Sequence, residues 1–401
     1  MPRLCFRWLL SGVLLGGVAL GPLAHAQVAK RRPAAPVPYQ AVDARMRQVP
    51  DSSTHAVNGL ARYIRTSFAT EADRARAAFV WVATTIRYDI DNQFLLEYER
   101  PPAEVIQQTL AQRRGVCRHY AELYSALANQ VGVATYVVPG YGSLRAAVGH
   151  AWCASRIEGQ WQLLDPTWAA GQVVNHHFVF QLHNEYYCMA PLKALELHMP
   201  FDPLWQLLPE PRTPEQFQQG LAPAPARSAF AFAFADSIAL YERQAPMQRL
   251  HAANRRIEQN GVKNGLIYSY LANSRNQEAN LYITTYNEAL HEFNQGAAQV
   301  NAFVEYFNHQ FQPRKPDAEL PQLLAPAAAH FGRTQELLAV VGAQKSTQQV
   351  AQDLKASLQQ AETKLRNCQA FLDRYLHTGK LLRPTLFMNI SNLGGHNELM
   401  R

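Results

Sequence analysis

The sequence predicts an α+β domain followed by an all-helical domain. Segments of helical period fill residues 55–115. Three strand-like segments then follow one another from residue 133, and beyond a proline-rich stretch apolar residues recur in steps of four and three. Helices first and strands in succession afterwards argue for an α+β core rather than an alternating pattern with a parallel sheet.

Residues 1–26 open with Arg3 and Arg7, run apolar from Trp8 to Leu23 and end in Ala24-His25-Ala26. Charged, apolar and small-residue regions in that order are those of a cleaved secretory signal peptide. The apolar run is also short of the roughly 20 residues of a membrane span. The expectation is an exported protein, periplasmic or extracellular, with no transmembrane anchor. Residues 27–49, rich in Pro, Ala and Arg, read as a flexible leader.

Residues 50–210 read as the α+β domain. Leu60, Tyr63, Ile64 and Phe68 lie at helical spacing. Thr70, with Asp73 three positions on, marks a helix start, and that helix would bury Phe79, Val82 and Ile86. Pro101-Pro102 opens another, with Val105, Ile106 and Leu110 on one face, running to Gly115. Cys117 heads the next run, with Ala121, Tyr124 and Ala128 on one face and Leu123 and Leu127 beside them. The stretches "VATYVVPG", "GHAWCASRI" and "QWQLLDPTW" are rich in β-branched and aromatic residues, and Glu158-Gly159 between the last two reads as a hairpin turn.

Five prolines within 209–229 mark residues 211–229 as a linker. Residues 230–401 then read as a helical, coiled-coil-like bundle. One seam runs Ala279, Ile283, Tyr286, Leu290, Phe293, and on through Ala297, Val300, Val304 and Phe307. A second runs Leu354, Leu358, Ala361, Leu365, Cys368, Leu372, Tyr375. The 3.5-residue period predicts paired helices, antiparallel across a proline-rich joint at 313–326. This half is expected to hold no catalytic residue and to act by covering the cleft, selecting substrate or self-associating.

Net charge is +7, and +5 without residues 1–26, where 36 basic residues face 31 acidic. The excess is scattered in pairs such as Arg113-Arg114, which argues against a nucleic-acid track. Four cysteines remain past the signal, Cys117, Cys153, Cys188 and Cys368, at spacings that match neither a disulfide scaffold nor a zinc site.

Cys117 stands at a helix mouth, where free backbone N–H groups and the helix dipole favour a thiolate. His150 lies on one predicted strand and Asp165 at the end of the next. Adjacent antiparallel strands would set Asp165 to orient the imidazole, with Cys117 at its other nitrogen. Each residue alone has an ordinary structural explanation; the three in this order are more specific.

"FVWVATTIRYD", "GVCRHYAELYSAL" and "GHAWCASRIEGQWQLLDPTW" resemble the transglutaminase-like superfamily. The trailing "YYCMAPLKALELHMPFDPLWQLL" resembles the branch that includes the cytokinesis and kyphoscoliosis proteins. The resemblance covers about residues 50–210. It implies a papain-like core and a triad of Cys117 as nucleophile, His150 as base and Asp165 as orienter, without cofactor or metal. It further implies acyl-thioester chemistry on a protein or peptide amide. Arg118-His119 fill the variable positions after the cysteine.

Hydrolysis is favoured over cross-linking, since no acidic cluster that would steer an amine is visible. The alternative is a catalytically idle domain serving as a protein-binding or cell-envelope scaffold, its partner bound through the helices. Cys117's own N–H is the first oxyanion donor, and Trp81, Tyr88 and Gln108 are candidates for the second. Trp152 should share a strand face with His150, and Cys153 should point the other way, paired with Cys188 or free. "YDIDN" (88–92) lacks the ligand count of a calcium loop, and His176-His177 lacks a third zinc ligand.

Overall fold

A computed structural model describes residues 39–93, 100–142, 148–220, 233–341 and 348–392. The signal and most of the leader lie outside the described residues. The chain is folded earlier than the leader assignment implied: α1 (Gln40–Met46) buries Val42 and Met46. Its Asp43 carboxylate accepts two hydrogen bonds, at 2.8 and 2.7 Å, from the buried Arg76 guanidinium, so a buried cation fixes this segment.

Helices α2 (Val57–Ser67) and α3 (Glu71–Thr85) follow. The Thr70 side chain caps α3 by accepting from the Asp73 N–H at 3.0 Å, and α3 is buried almost all round from Ala75 to Ala83. Strand β1 (Arg87–Tyr88) pairs in parallel with β2 (Arg114–Gly115), which closes the loop carrying α4 (Pro102–Gln112). Helix α4 stops three residues before Gly115. Arg113 turns left-handed there, φ 51°, and its guanidinium donates to the Thr54 carbonyl and hydroxyl.

Helix α5 (Cys117–Gln130) runs through the core, with Tyr120, Ala121, Leu123, Tyr124, Leu127 and Ala128 fully buried. It lies against β3 (Thr135–Gly142) and β4 (Val148–Ile157), and β5 (Gln160–Leu164) pairs with β4. After α6 (Pro166–Ala170), the hairpin β6 (Gly171–Val174) and β7 (His177–Phe180), and α7 (Pro191–Leu195), strand β8 (His198–Pro200) completes an antiparallel sheet ordered β5-β4-β3-β8. Along β4 the side-chain period of two divides the core. Ala151 and Cys153 face the helices, while Trp152 and Ala154 face Leu204 and Trp205. Gly140 is bare where β8 and Trp152 close in: a Cβ there would stand 2.3 Å from the Met199 carbonyl oxygen and 2.4 Å from the Trp152 ring.

Residues 211–220, expected within a linker, carry α8 (Pro214–Gln218), capped by Thr213 and anchored by buried Phe217; residues 221–232 lie outside the described residues. Helices α9 (Phe234–Arg243), α10 (Pro246–Asn260), α11 (Gly265–Asn308), α12 (Ala325–Val341), α13 (Gln348–His377) and α14 (Arg383–Asn392) follow. The first of these pack directly on the α+β domain. Ile238 joins the core of Trp152 and Trp205, and Ile257, Ile267 and Leu271 join Tyr141, Met199, Phe201 and Phe217. Arg256 grips Asp202 through two bonds at 2.8 and 2.6 Å.

The bundle itself differs from the expected antiparallel pair. Helix α12 lies between the two seams and reverses the chain, so α11 and α13 run parallel. Lys364 meets Asn301 and Phe371 meets Phe307, whereas His330 meets Glu292 and Arg333 meets Glu288. The α13 seam buries Leu354, Leu358, Leu365, Cys368 and Leu372 as its period requires. The first seam is displaced: Ala279 and Ile283 face solvent, and Glu278 and Tyr282 are buried instead. The 44-residue α11 meets α10 in its first half and α12 and α13 in its second, so its buried stripe rotates midway.

Candidate active site

Cys117 is the first residue of α5 and lies half-buried in a cleft. The residue before the helix, Val116, takes no side-chain oxygen cap; the His119 ring folds back so that its Nδ1 accepts from the Val116 N–H at 3.4 Å. That fold needs Gly115, where a Cβ would come within 2.4 Å of the His119 Cβ. Residues on both sides therefore hold the helix mouth in place.

His150 sits on β4 opposite Gly140. The β4–β5 ladder ends at Cys153–Leu164, and Asp165 is the first residue beyond it, at the mouth of α6. Its Oδ1 accepts from the Thr167 and Trp168 N–H groups at 2.8 and 3.1 Å, and its Oδ2 lies 2.7 Å from His150 Nε2. The cap thus aims the second carboxylate oxygen at the imidazole. The Cys117 thiol lies close enough to the same ring to raise its pKa, and lines the same cleft; the ring's Nδ1 is the nitrogen that Asp165 leaves open. His150 lies between two indoles, Trp168 at 4.8 Å and 22° and Trp152 at 5.9 Å and 28°, so its plane is set by stacking as well as by hydrogen bonds.

The electrostatics follow from this enclosure. Burial opposes a charge on His150, but Asp165 and then Cys117 outweigh it and raise its pKa to about 10. Burial likewise opposes the Asp165 carboxylate, and His150 and His198 together hold it well below the usual carboxylate range.

His198 was not foreseen as part of the site. It is buried on β8, its Nε2 lies 2.9 Å from Asp165 Oδ2, and its Nδ1 lies 3.3 Å from the Ala194 carbonyl oxygen. Its only trace in the sequence is a histidine within the apolar "LELHMPF". Such a residue is a common core histidine, and only the sheet order, which sets β8 beside β3, reveals its partner. His150, Asp165 and His198 place three ligand-type atoms within 4.8 Å of one another, but both imidazoles here face one carboxylate oxygen at hydrogen-bond distance.

The three oxyanion candidates separate. Trp81 is buried under the Arg113 guanidinium, 5.0 Å from its ring, and Gln108 is half-buried on α4, bonded to Gln112. Tyr88 is half-buried and near the thiol: burial first, then the charges of Cys117 and Asp165, push its hydroxyl up to about 12. Cys153 and Cys188 are free thiols, Cys153 donating to the Ala121 carbonyl at 3.4 Å, and Cys368 is buried and free. In "YDIDN", Asp89 is taken by Arg114 at 2.6 Å and by Asn92. His176 and His177 are exposed at the β6–β7 turn.

A helix-mouth cysteine beside an imidazole and a capped carboxylate, on an α+β core with an antiparallel sheet, defines the class. Residues 58–166 match the transglutaminase-like superfamily, and this part of the chain is a transglutaminase-like domain. The chain is 32% identical over 167 residues to the kyphoscoliosis peptidase of Homo sapiens, covering 38% of this chain and 24% of that protein. It is 29% identical over 198 residues to the Mus musculus kyphoscoliosis peptidase, covering 46% and 29%. The chain thus spans less than a third of the length of these relatives. The solved periplasmic domain of TgpA from Pseudomonas aeruginosa aligns at 22% identity over 32% of this chain and 47% of its own, with a TM-score of 0.23. The superfamily match ends one residue past Asp165, so His198 and all the C-terminal helices lie beyond it.

Proposed function

We propose that this chain is an exported cysteine enzyme acting on protein or peptide amides through an acyl-thioester, by hydrolysis in preference to cross-linking. The observation that carries the proposal is the placing of Cys117, at the mouth of α5, in one cleft with His150, whose Nε2 lies 2.7 Å from Asp165 Oδ2. Export rests on the charged, apolar and small-residue order of residues 1–26. Among the described residues no helix is long and apolar enough to cross a membrane.

In the proposed reaction His150 Nδ1 already holds the Cys117 proton, and the Cys117 Sγ attacks the amide carbonyl carbon. Asp165 Oδ2 accepts from Nε2–H and stabilises the imidazolium. The Cys117 N–H, unpaired at the first position of α5, donates to the oxyanion. Collapse expels ammonia or an amine, which takes the His150 proton, and leaves a thioester. Water then attacks the thioester with His150 as base, releasing the acid and the free thiol. The apolar, stacked surroundings of the imidazole fix its orientation before substrate arrives.

Incubation of a glutamine peptide with a labelled amine tests the proposal, with Cys117→Ala as control. Ammonia or acid release that needs Cys117 and exceeds amine incorporation is expected. Incorporation exceeding release would move the reaction to cross-linking. Full in vivo function of Cys117→Ala would instead favour the scaffold alternative.

A further inference from the structure

The cleft that holds Cys117, of about 440 Å³, is walled on one side by the α+β domain and on the other by α10 and α11. Val137 and Pro139 of β3 and Leu250 and Ala253 of α10 all line it. Asn273 and Gln277, one turn apart on α11, line the same cleft, and among the described residues their carboxamides bond to no other side chain.

The charges at the cleft are already satisfied. Asp202 is taken by Arg256, Glu122 pairs with Arg118 at 3.7 Å, and Arg249 donates to the Tyr241 and Glu242 carbonyls at 2.8 and 2.9 Å. A charged side chain entering here would lose water and would have to compete with these existing partners, which is unfavourable. An aliphatic one would bury apolar surface against four apolar walls.

We infer that α10 and α11 form a substrate subsite beside Cys117 that selects an extended peptide with an uncharged, apolar side chain next to the reacting amide. Leu250 and Ala253 receive that side chain, and Asn273 and Gln277 bond its backbone, as carboxamides can both donate and accept. The inference rests on Cys117 as the nucleophile for its chemistry but not for its binding. It gives the helical half a selecting role at the site that the transglutaminase-like match does not reach.

The test uses the full chain and three peptide vinyl sulfones that differ only in Leu, Glu or Lys beside the reactive group, each rate divided by that of iodoacetamide. The leucine probe is expected to react roughly tenfold faster or more, the worth of one buried aliphatic side chain. Leu250→Glu should erase that preference. Ala253→Phe, which fills the same space without a charge, should lower it too and covers the case in which the first variant fails to fold. Equal normalised rates for the three probes in the wild type would overturn the inference. Binding of the matching unreactive leucine and glutamate peptides to Cys117→Ala separates the subsite from the chemistry. Tighter binding of the leucine peptide with an unreactive wild-type cysteine keeps the subsite and removes the nucleophile. Equal binding of both peptides removes the subsite.

Discussion

His150 and His198 hold their Nε2 atoms 2.7 and 2.9 Å from one oxygen, Oδ2 of Asp165. A carboxylate only accepts, so each ring carries its proton on Nε2 at this contact. The ring orientation that turns His150 Nδ1 away from Asp165 and toward the cleft is therefore fixed by the same oxygen that His198 contacts. His198 contacts Asp165 and the Ala194 carbonyl rather than Cys117, so any part it plays in the proposed reaction is in positioning Asp165.

Replacing His198 with Ala is expected to slow Cys117 alkylation about 10- to 100-fold, the loss of one charge-assisted hydrogen bond of about 1.5–3 kcal/mol. His198→Gln, which offers an N–H at a similar reach, should recover part of it. The pH dependence of alkylation should shift in the alanine variant and return in the glutamine variant. An unchanged profile in both would show that His198 is only packing.

Stability should fall on both sides of neutrality. His150 has a raised pKa, so its charged form stabilises the fold fully below its ordinary value of 6.5, and this is lost as pH rises through about 10. Asp165 has a lowered pKa, so its contribution is present above its ordinary value of 3.8 and is lost as pH falls below it. Urea denaturation across pH should show both arms. His150→Ala should flatten the alkaline arm; an alkaline arm of undiminished slope would assign it to other groups.

Gly140→Ala should destabilise the chain by about 1–3 kcal/mol, the range for overpacking a tight core. The new methyl would meet the Met199 carbonyl and the Trp152 ring, and so would push β8, with His198, away from β3. Equilibrium unfolding measures the loss, and a slower alkylation of Cys117 would follow from it. A variant as stable as wild type would mean that β8 shifts freely.

Ending the chain at residue 225 should also weaken the α+β domain. Tyr141, Met199, Phe201, Trp205 and Phe217 would lose the cover of α9–α11. With each large apolar side chain worth roughly 1.5–3 kcal/mol when fully covered, a loss of about 3 kcal/mol or more is expected. Denaturant midpoints of fragment and full chain decide it. A fragment of equal stability and equal Cys117 reactivity would show that the helices only rest on the domain.

What was legible in the sequence was local. Helical period, the Thr70 cap, the cysteine at the head of α5 and strand-like composition around His150 and Asp165 are all written within a few residues of each position. Hydrogen-bonding needs and side-chain period act at that range. The α13 seam was legible for the same reason, since one face stays buried along its length.

What only the tertiary structure decided was set by pairings between distant segments. The order β5-β4-β3-β8 brings His198 to Asp165 across 33 residues. The docking of α10 and α11 makes the helical half a wall of the cleft, and the change of α11's partners along its length turns its buried stripe from Ile283 to Tyr282. Periodicity tells which face of a helix is apolar, but not which of several apolar surfaces will cover it, because burial is non-directional and roughly proportional to area. The sequence alone determined the domain class and the candidate residues Cys117, His150 and Asp165. Long-range packing determined the fourth group behind them and the surface opposite.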